Sequence, residues 1–319
     1  GERPTSSENI RMPATIIVNP YANRWKCGQQ ADAVEAGLRH AGIDFRLQVT
    51  SQRGHATALA RAATQRGELP LIAVGGDGTL NEVVNGIFQV EAPGADPAGP
   101  VGTVPLGTCN DLATMLGVPA GIDASIALIK AGETRTIDVG AANGSYFVNN
   151  AAVGLETEVA LQNDRMTWMR GVLRYLVAAV VTILKRPSWE TELSWDDGHY
   201  EGSLALVSVG NSKRTGGVFY MTPNAKLDDG KLDFIYAPDL SRIQMFRLLP
   251  QTLKGTHIRE PAIHEHRTTR LNIRTRPSTA IQTDGEISTA ETTDINFKVL
   301  AGALKIIAPI PRGVPTGLV

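Results

Sequence analysis

The first third of the chain alternates short, unbroken apolar runs with segments whose apolar residues recur at helical spacing. Ala14 to Val18 is such a run and stops at Asn19-Pro20; Phe45 to Thr50 and Leu69 to Val74 follow the same pattern. Between them, Gln30 to His40 and Ala56 to Thr64 carry apolar positions three and four apart. Runs without polar alternation suit parallel strands covered on both faces. Strand–helix repetition with short links predicts an open, doubly wound α/β layer. A Pro/Gly-rich link from Ala92 to Pro100 precedes one more strand, Val101 to Val104.

Beyond about Thr136 the pattern changes to short β-rich segments separated by turn residues. Tyr146 to Val148, Thr191 to Trp195, Ser203 to Val209, Leu232 to Tyr236, Thr269 to Arg274, Ile295 to Leu300 and Ala303 to Ile307 read as strands. Asp196-Asp197-Gly198 and Asp228-Asp229-Gly230 are turn signals. Two helical patterns interrupt them, near Trp168 to Lys185 and Arg242 to Thr252. The expected organisation is an α/β domain over residues 12–136 and a mostly antiparallel, β-rich domain over 137–319. The last strand either stays in the second domain or crosses back to the first.

The length of 319 residues accommodates two such domains. Lys plus Arg number 31 against 32 Asp plus Glu, a formal charge of −1, which argues against a dedicated nucleic-acid binder. The two cysteines, Cys27 and Cys109, form no disulfide framework, so a reducing, cytoplasmic setting is expected. Residues 1–11 are polar, lack the apolar core of a signal peptide, and read as a leader before Met12. Leu176 to Leu184 is too short to span a bilayer and is bracketed by Arg174 and Lys185. With Trp168-Met169-Arg170 and Val172 to Leu176 it forms a segment apolar on one side and cationic on the other. That suits either packing on the β-domain or a membrane surface.

Candidate chemistry concentrates in two glycine turns. Val74-Gly75-Gly76-Asp77-Gly78-Thr79-Leu80-Asn81-Glu82 follows a buried strand and opens a helix over Leu80 to Phe88. Glycines let backbone approach a ligand closely, and a helix N-terminus offers free N–H groups to an anion. Asp77 beside phosphates makes sense with a metal, or with a proton to accept; as a bare helix cap it needs neither. Pro105-Leu106-Gly107-Thr108-Cys109-Asn110-Asp111 repeats this logic after the next strand. In a doubly wound sheet both turns fall at the carboxyl ends of the strands, facing one cleft. Neither a P-loop nor a GxGxxG dinucleotide pattern occurs.

These two turns resemble the diacylglycerol kinase catalytic domain, in particular its bacterial, soluble lipid kinase branch, a relative of sphingosine kinases and NAD kinases. The resemblance extends to Val18-Asn19-Pro20, to Gly210-Asn211 with Gly216-Gly217, to Pro223 through Asp233, and to Asp284-Gly285-Glu286. It implies an ATP-dependent kinase acting on the hydroxyl of diacylglycerol or a related lipid. Asn19, Thr50, Gly75, Gly76, Asp77, Gly78, Thr79, Leu80, Asn81 and Thr108 are then expected to hold ATP. Asp229, with the backbone carbonyls of Lys226 and Lys231, is expected to hold a supporting Mg2+. Glu286 or Asp284 is the expected base, while Asp77 and Asp111 position the nucleotide metal and the acceptor. The implied partners are a lipid substrate and, peripherally, the inner membrane face, with no nucleic acid; a homodimer stays open. The chain departs from the family pattern at Tyr21 to Arg24, where a Ser-Gly pair is usual, and at Cys109, where Gly or Ala is usual.

Phosphoryl transfer asks a protein mainly for donors, a divalent cation and a proton acceptor, all of which these residues supply. Read alone, Asp284-Gly285-Glu286 is an ordinary hairpin turn; the other motifs turn the reading toward a base. Two rival functions remain at this level: a kinase with a soluble acceptor such as NAD, and a non-catalytic nucleotide- or lipid-binding regulator. His264-Glu265-His266 lacks a third zinc ligand and reads as an exposed strand. Lys213-Arg214 reads as a solvated pair.

Overall fold

The computed structural model describes residues 13–91, 94, 96–166, 168 and 171–311. The leader reading of residues 1–11, and Met169 and Arg170 of the amphipathic segment, lie outside them. The chain starts with β1 (Ala14–Val18), α1 (Lys26–Gln29), α2 (Ala31–His40), β2 (Phe45–Val49) and α3 (His55–Gln65). It continues through β3 (Leu71–Gly75), α4 (Asp77–Phe88), β4 (Ala98–Pro105), α5 (Asp111–Leu116) and α6 (Ile122–Ala131). The four strands stand in the order β2-β1-β3-β4 and are all parallel.

Their apolar runs are unbroken because each face has its own cover. Ile16 and Val18 of β1, with Ile72 and Val74 of β3, pack on Val34, Leu38, Ile126 and Ile129 of α2 and α6. Ile17, Leu71 and Ala73 turn the other way, onto Ala60 of α3 and Val83, Val84 and Ile87 of α4. Successive strand residues point to opposite faces, so helices on both sides demand apolar residues at every position. This is the doubly wound layer that the pattern predicts.

The remaining chain forms β5 (Thr134–Ala142), β6 (Ser145–Phe147), β7 (Asn150–Gly154), α7 (Leu155–Arg165), α8 (Gly171–Lys185) and β8 (Trp189–Trp195). Then come β9 (Gly198–Gly210), β10 (Leu232–Pro238), α9 (Arg242–Thr252), β11 (His264–Thr268), β12 (Arg270–Thr283) and β13 (Glu286–Ile307). All pairings among these strands are antiparallel. The long strands β9 and β12 each pair with β7 at one end and β8 at the other, enclosing a core that includes Phe147, Leu204, Phe234, Leu271 and Phe297. The opposite face of β9 and β10, with Ala205, Ile235 and Ala237, lies under α7, α8 and α9.

Three expectations change. The segments Ile295 to Leu300 and Ala303 to Ile307 belong to one strand, β13, of 22 residues. Its register slips between Leu300 and Leu304, where Gly302 has φ 58, and its end pairs parallel with β4. The last strand therefore crosses back, and the sheet is continuous from β2 to β11. Helix α4 starts at Asp77 rather than Leu80, which puts Asp77 in the first turn. Strand β7 and helix α7 were not expected, because Asn150 to Leu155 shows neither clean alternation nor helical spacing.

Candidate active site

Strands β1, β3 and β4 deliver their carboxyl ends to one edge, and the two glycine turns meet there. The Leu106 N–H donates to the Gly75 carbonyl at 2.8 Å, extending the β3–β4 pairing into the turns. A Cβ on Gly107 would stand 2.3 Å from the Gly76 Cα, so the two backbones touch only because both residues lack side chains. Asn110, at φ 50, closes its own turn: its Oδ1 accepts the Gly107 N–H at 3.0 Å. Asn19 donates to the Thr79 hydroxyl at 3.0 Å, tying the end of β1 to the start of α4. Glu82 reaches across to accept the N–H groups of Gly54 and Ala56 at 2.9 and 3.0 Å, capping α3, which has no side-chain cap of its own.

The resulting open cleft holds about 620 Å³ and is lined by Asn19, Thr50, Gly76, Asp77, Gly78, Thr79, Thr108, Cys109 and Glu286, among others. Gly75, Leu80 and Asn81 do not line it. Gly75 and Leu80 are buried behind the turn, and Asn81 donates to the Tyr146 carbonyl and to Asp284. Tyr21 and Arg53 also line the cleft. The Tyr21 hydroxyl donates to the Ser51 carbonyl at 3.0 Å, and the Arg53 guanidinium forms an ion pair with Glu286. Arg53 was not singled out from sequence, although it follows Thr50 on the same strand-end turn. Burial, then Asp111 and Asp77, push the Cys109 thiol up to about 11, so it stays protonated.

Asp77, Glu82 and Glu286 line this cleft, and Asp111 and Asp284 lie buried outside its lining. Asp77 Oδ1 accepts the Leu112 N–H at 3.3 Å, and burial, reinforced by Asp111 and Asp284, pushes its pKa up to about 7. Asp111 is buried; both its oxygens accept the Gly217 N–H, at 3.1 and 3.0 Å, and Arg214 Nε stands 3.0 Å away. Burial raises its pKa while these partners oppose the rise. Arg214 thus corrects the solvated reading: it pairs with Asp111 and donates to the Gly217 carbonyl, whereas Lys213 is exposed.

Asp284 is 8% exposed and both its oxygens are saturated. Oδ2 accepts from Asn81 Nδ2 at 2.8 Å and from the Val148 N–H at 2.9 Å; Oδ1 accepts from the Asn149 and Asn150 N–H groups at 2.8 and 2.9 Å. Burial raises its pKa against these donors. Glu286 is half-buried at the first position of β13, with Oε1 3.3 Å from where a Gly78 Cβ would stand. Its pKa is raised by burial and drawn down by Arg53.

Lys226, Asp229 and Lys231 do not line the cleft; they lie in the loop entering β10. Asp138 anchors that loop, accepting the Gly230 N–H at 2.6 Å and the Gly302 N–H at 2.7 Å. Asp229 accepts the Lys231 N–H at 3.2 Å and pairs with Arg267. The neighbouring Asp233 is 1% exposed with neither oxygen hydrogen-bonded, and burial pushes it up to about 6. His264 and His266 stack on Tyr236, and among the described residues no group of three or more His, Cys, Asp or Glu stands ready to hold a metal unaided.

Parallel strand ends carrying two touching glycine turns, closed by an acidic strand from an antiparallel sheet, define a two-part α/β plus β architecture with a cleft at the strand ends. Comparison with known proteins specifies it. Residues 13–142 match the diacylglycerol kinase catalytic domain, and residues 149–308 match the YegS C-terminal NAD kinase beta sandwich-like domain. A diacylglycerol kinase of Bacillus subtilis (strain 168) is 31% identical over 276 residues, covering 86% of this chain and 89% of its own. One from Staphylococcus carnosus (strain TM300) is 28% identical over 279 residues, covering 87% and 89%. A crystal structure of a diacylglycerol kinase from Bacillus anthracis str. Sterne superposes with a TM-score of 0.75 at 25% identity, covering 93% of this chain and 97% of that one. The chain belongs to the diacylglycerol kinase catalytic-domain family.

Proposed function

We propose that this chain is an ATP-dependent lipid kinase that transfers the γ-phosphoryl group to a lipid hydroxyl, with diacylglycerol, the substrate in its relatives' names, as the first acceptor to test. The observation that carries the proposal is the Glu286 carboxylate standing over Gly78 at the mouth of the phosphate-sized turns. The N-terminal N–H groups of α4 and the touching Gly76 and Gly107 backbones bind phosphate oxygens. Thr79, Thr50 and Thr108 offer hydroxyls to the same ligand.

Magnesium fits the donor set. Burial, and after it the nearby Asp111 and Asp284, push Asp77 up to about 7, and Arg214, at Asp111, answers only part of that negative charge. Magnesium commonly uses one or two carboxylates together with substrate phosphates, so no complete protein cage is needed. When bound, it neutralises phosphate charge as the phosphoryl group moves. Asp77 would hold it, with Asp111 orienting the acceptor through the loop it anchors. Asp229, with the carbonyls of Lys226 and Lys231, would supply oxygen ligands to a second, supporting Mg2+, competing there with the Arg267 ion pair. Asp233 beside them has no hydrogen bond, and Arg267 Nε, 3.7 Å away, meets part of the charge that a cation would satisfy.

Glu286 is the base in this reading, taking the hydroxyl proton at a carboxylate oxygen. Asp284 has both oxygens engaged by N–H donors and holds the strand that carries Glu286. Access to a bilayer runs through α8 and α9, whose outer faces expose Leu173, Leu184 and Ile243. No helix among the described residues is long and apolar enough to cross a membrane.

The test incubates the purified chain with γ-labelled ATP, magnesium, NAD and a lipid extract containing diacylglycerol and sphingoid bases, with Asp77→Asn alongside. Label in a lipid, absent from the correctly folded variant, is the expected outcome. Full activity in Asp77→Asn overturns the mechanism, and label appearing on NAD instead moves the chain to a soluble acceptor.

A further inference from the structure

Asp77, Glu82 and Glu286 put three carboxylates into the lining of the cleft, and among the described residues Arg53 is the one cation there. A polyphosphate entering a site of that charge needs a positive partner, and the guanidinium is engaged with Glu286. The other two carboxylates are committed elsewhere: Glu82 caps α3, and Asp77 accepts the Leu112 N–H. Glu286 differs from both, because its contact is with the side chain best suited to a phosphate. The planar arginine fork matches carboxylate and phosphate oxygens in the same two-point manner, so the two anions compete for it.

The backbone around Arg53 is pinned while its side chain is loose. The Thr50 N–H donates to the Val18 carbonyl at 2.9 Å, tying the turn to β1. The Ser51 N–H donates to His55 Nδ1 at 3.0 Å, and the Gly54 N–H to Glu82 Oε1 at 2.9 Å. The Arg53 side chain is 64% exposed and that of Glu286 47%, so water screens the pair and it exchanges readily. The guanidinium also lies within reach of the phosphate turns. Glu286 Oε1, on its partner, stands 3.3 Å from where a Gly78 Cβ would be, and Gly78 belongs to the first turn of α4.

We propose that Arg53 is exchanged between two partners: it holds Glu286 until ATP binds, then moves to the terminal phosphate and leaves Glu286 free to take the hydroxyl proton. The inference rests on the kinase reading for its nucleotide and its base. A carboxylate paired with a guanidinium is a weaker base than a free one, so the exchange activates Glu286 only once the phosphoryl donor is in place. Nucleotide binding is then the first step and activation of the acceptor the second.

The experiment titrates ATP and ADP, each with magnesium, into the full chain by calorimetry without lipid, using wild type, Arg53→Gln, Glu286→Gln and the double variant. Arg53→Gln is expected to raise the Kd for ATP about tenfold and that for ADP less than about threefold, since the lost contact is to the terminal phosphate. Glu286→Gln is expected to tighten ATP at least about threefold by releasing the guanidinium, a gain that falls below about twofold when Arg53 is already replaced. An unchanged ATP Kd in Arg53→Gln, or equal losses for ATP and ADP, overturns the contact with the terminal phosphate. The same gain from Glu286→Gln in both backgrounds overturns the exchange, because Glu286 then only repels the nucleotide. The expected coupling in a chain that labels no lipid upholds the exchange and overturns the lipid acceptor instead, whereas a wild type that binds no ATP overturns both.

Discussion

Asp284 and Glu286 are two residues apart and meet opposite physical fates. Asp284 accepts four N–H groups and sits where no substrate reaches its lone pairs; Glu286 faces the cleft with one cationic neighbour. Asp284→Asn turns part of an acceptor into a donor aimed at other donors, and is expected to cost about 2–4 kcal/mol of stability. Glu286→Gln is expected to leave the thermal midpoint unchanged while lowering kcat about 10²–10⁴-fold. Measuring both quantities on both variants separates the roles; a stable, inactive Asp284→Asn would reverse the assignment. The sign of the pH dependence follows from Glu286. Burial raises its pKa, and a base works only when ionised, so the acid limb of kcat/KM lies above the ordinary glutamate value of about 4.3. The acidic pair itself was legible in the sequence. Which of the two is free was not, because the donors that occupy Asp284 come from Val148 to Asn150, brought in by the β7–β12 register.

At the scale of elements, the glycine turns were legible because each is local: a buried strand, a polar glycine turn and a helix start are contiguous in sequence. Their contact with each other is a property of neighbouring parallel strands, β3 and β4, and follows once the doubly wound order is recognised. Gly107 is the sharpest test of that contact. Its φ lies outside the left-handed region, so alanine costs little conformationally. The added methyl would stand 2.3 Å from the Gly76 Cα and force the turns apart. Gly107→Ala is expected to raise the ATP KM at least about tenfold with the fold retained, checked by initial rates and circular dichroism. An unchanged KM would mean that the turns do not jointly hold phosphate. Helix α7 was illegible for a different reason: it opens with Leu155-Glu156, and the buried glutamate there answers to Asn150 and Gln282 rather than to helical patterning.

For the whole molecule, β13 decides how the parts behave. Its first residues pair with β12 and carry Glu286; its later residues pair with β5 and, through Leu304 and Ile306, with β4. The α/β layer is therefore completed by the far end of the strand that brings the base to the cleft. Sequence left open whether the last strand crosses back, since an apolar β-segment pairs equally well with either sheet and only the three-dimensional register chooses. Neither part keeps its sheet intact without this strand, so the two should unfold together. Two single-tryptophan variants test this: one keeps Trp25, edge-on to Tyr21 in the turn that follows β1, and the other keeps Trp195, packed on Phe234 in the β-rich core. In urea, both fluorescence signals and the far-ultraviolet circular dichroism are expected to share one midpoint and one slope. Separated midpoints would show that β13 does not couple the parts, and that Glu286 can leave the cleft while the phosphate turns remain folded.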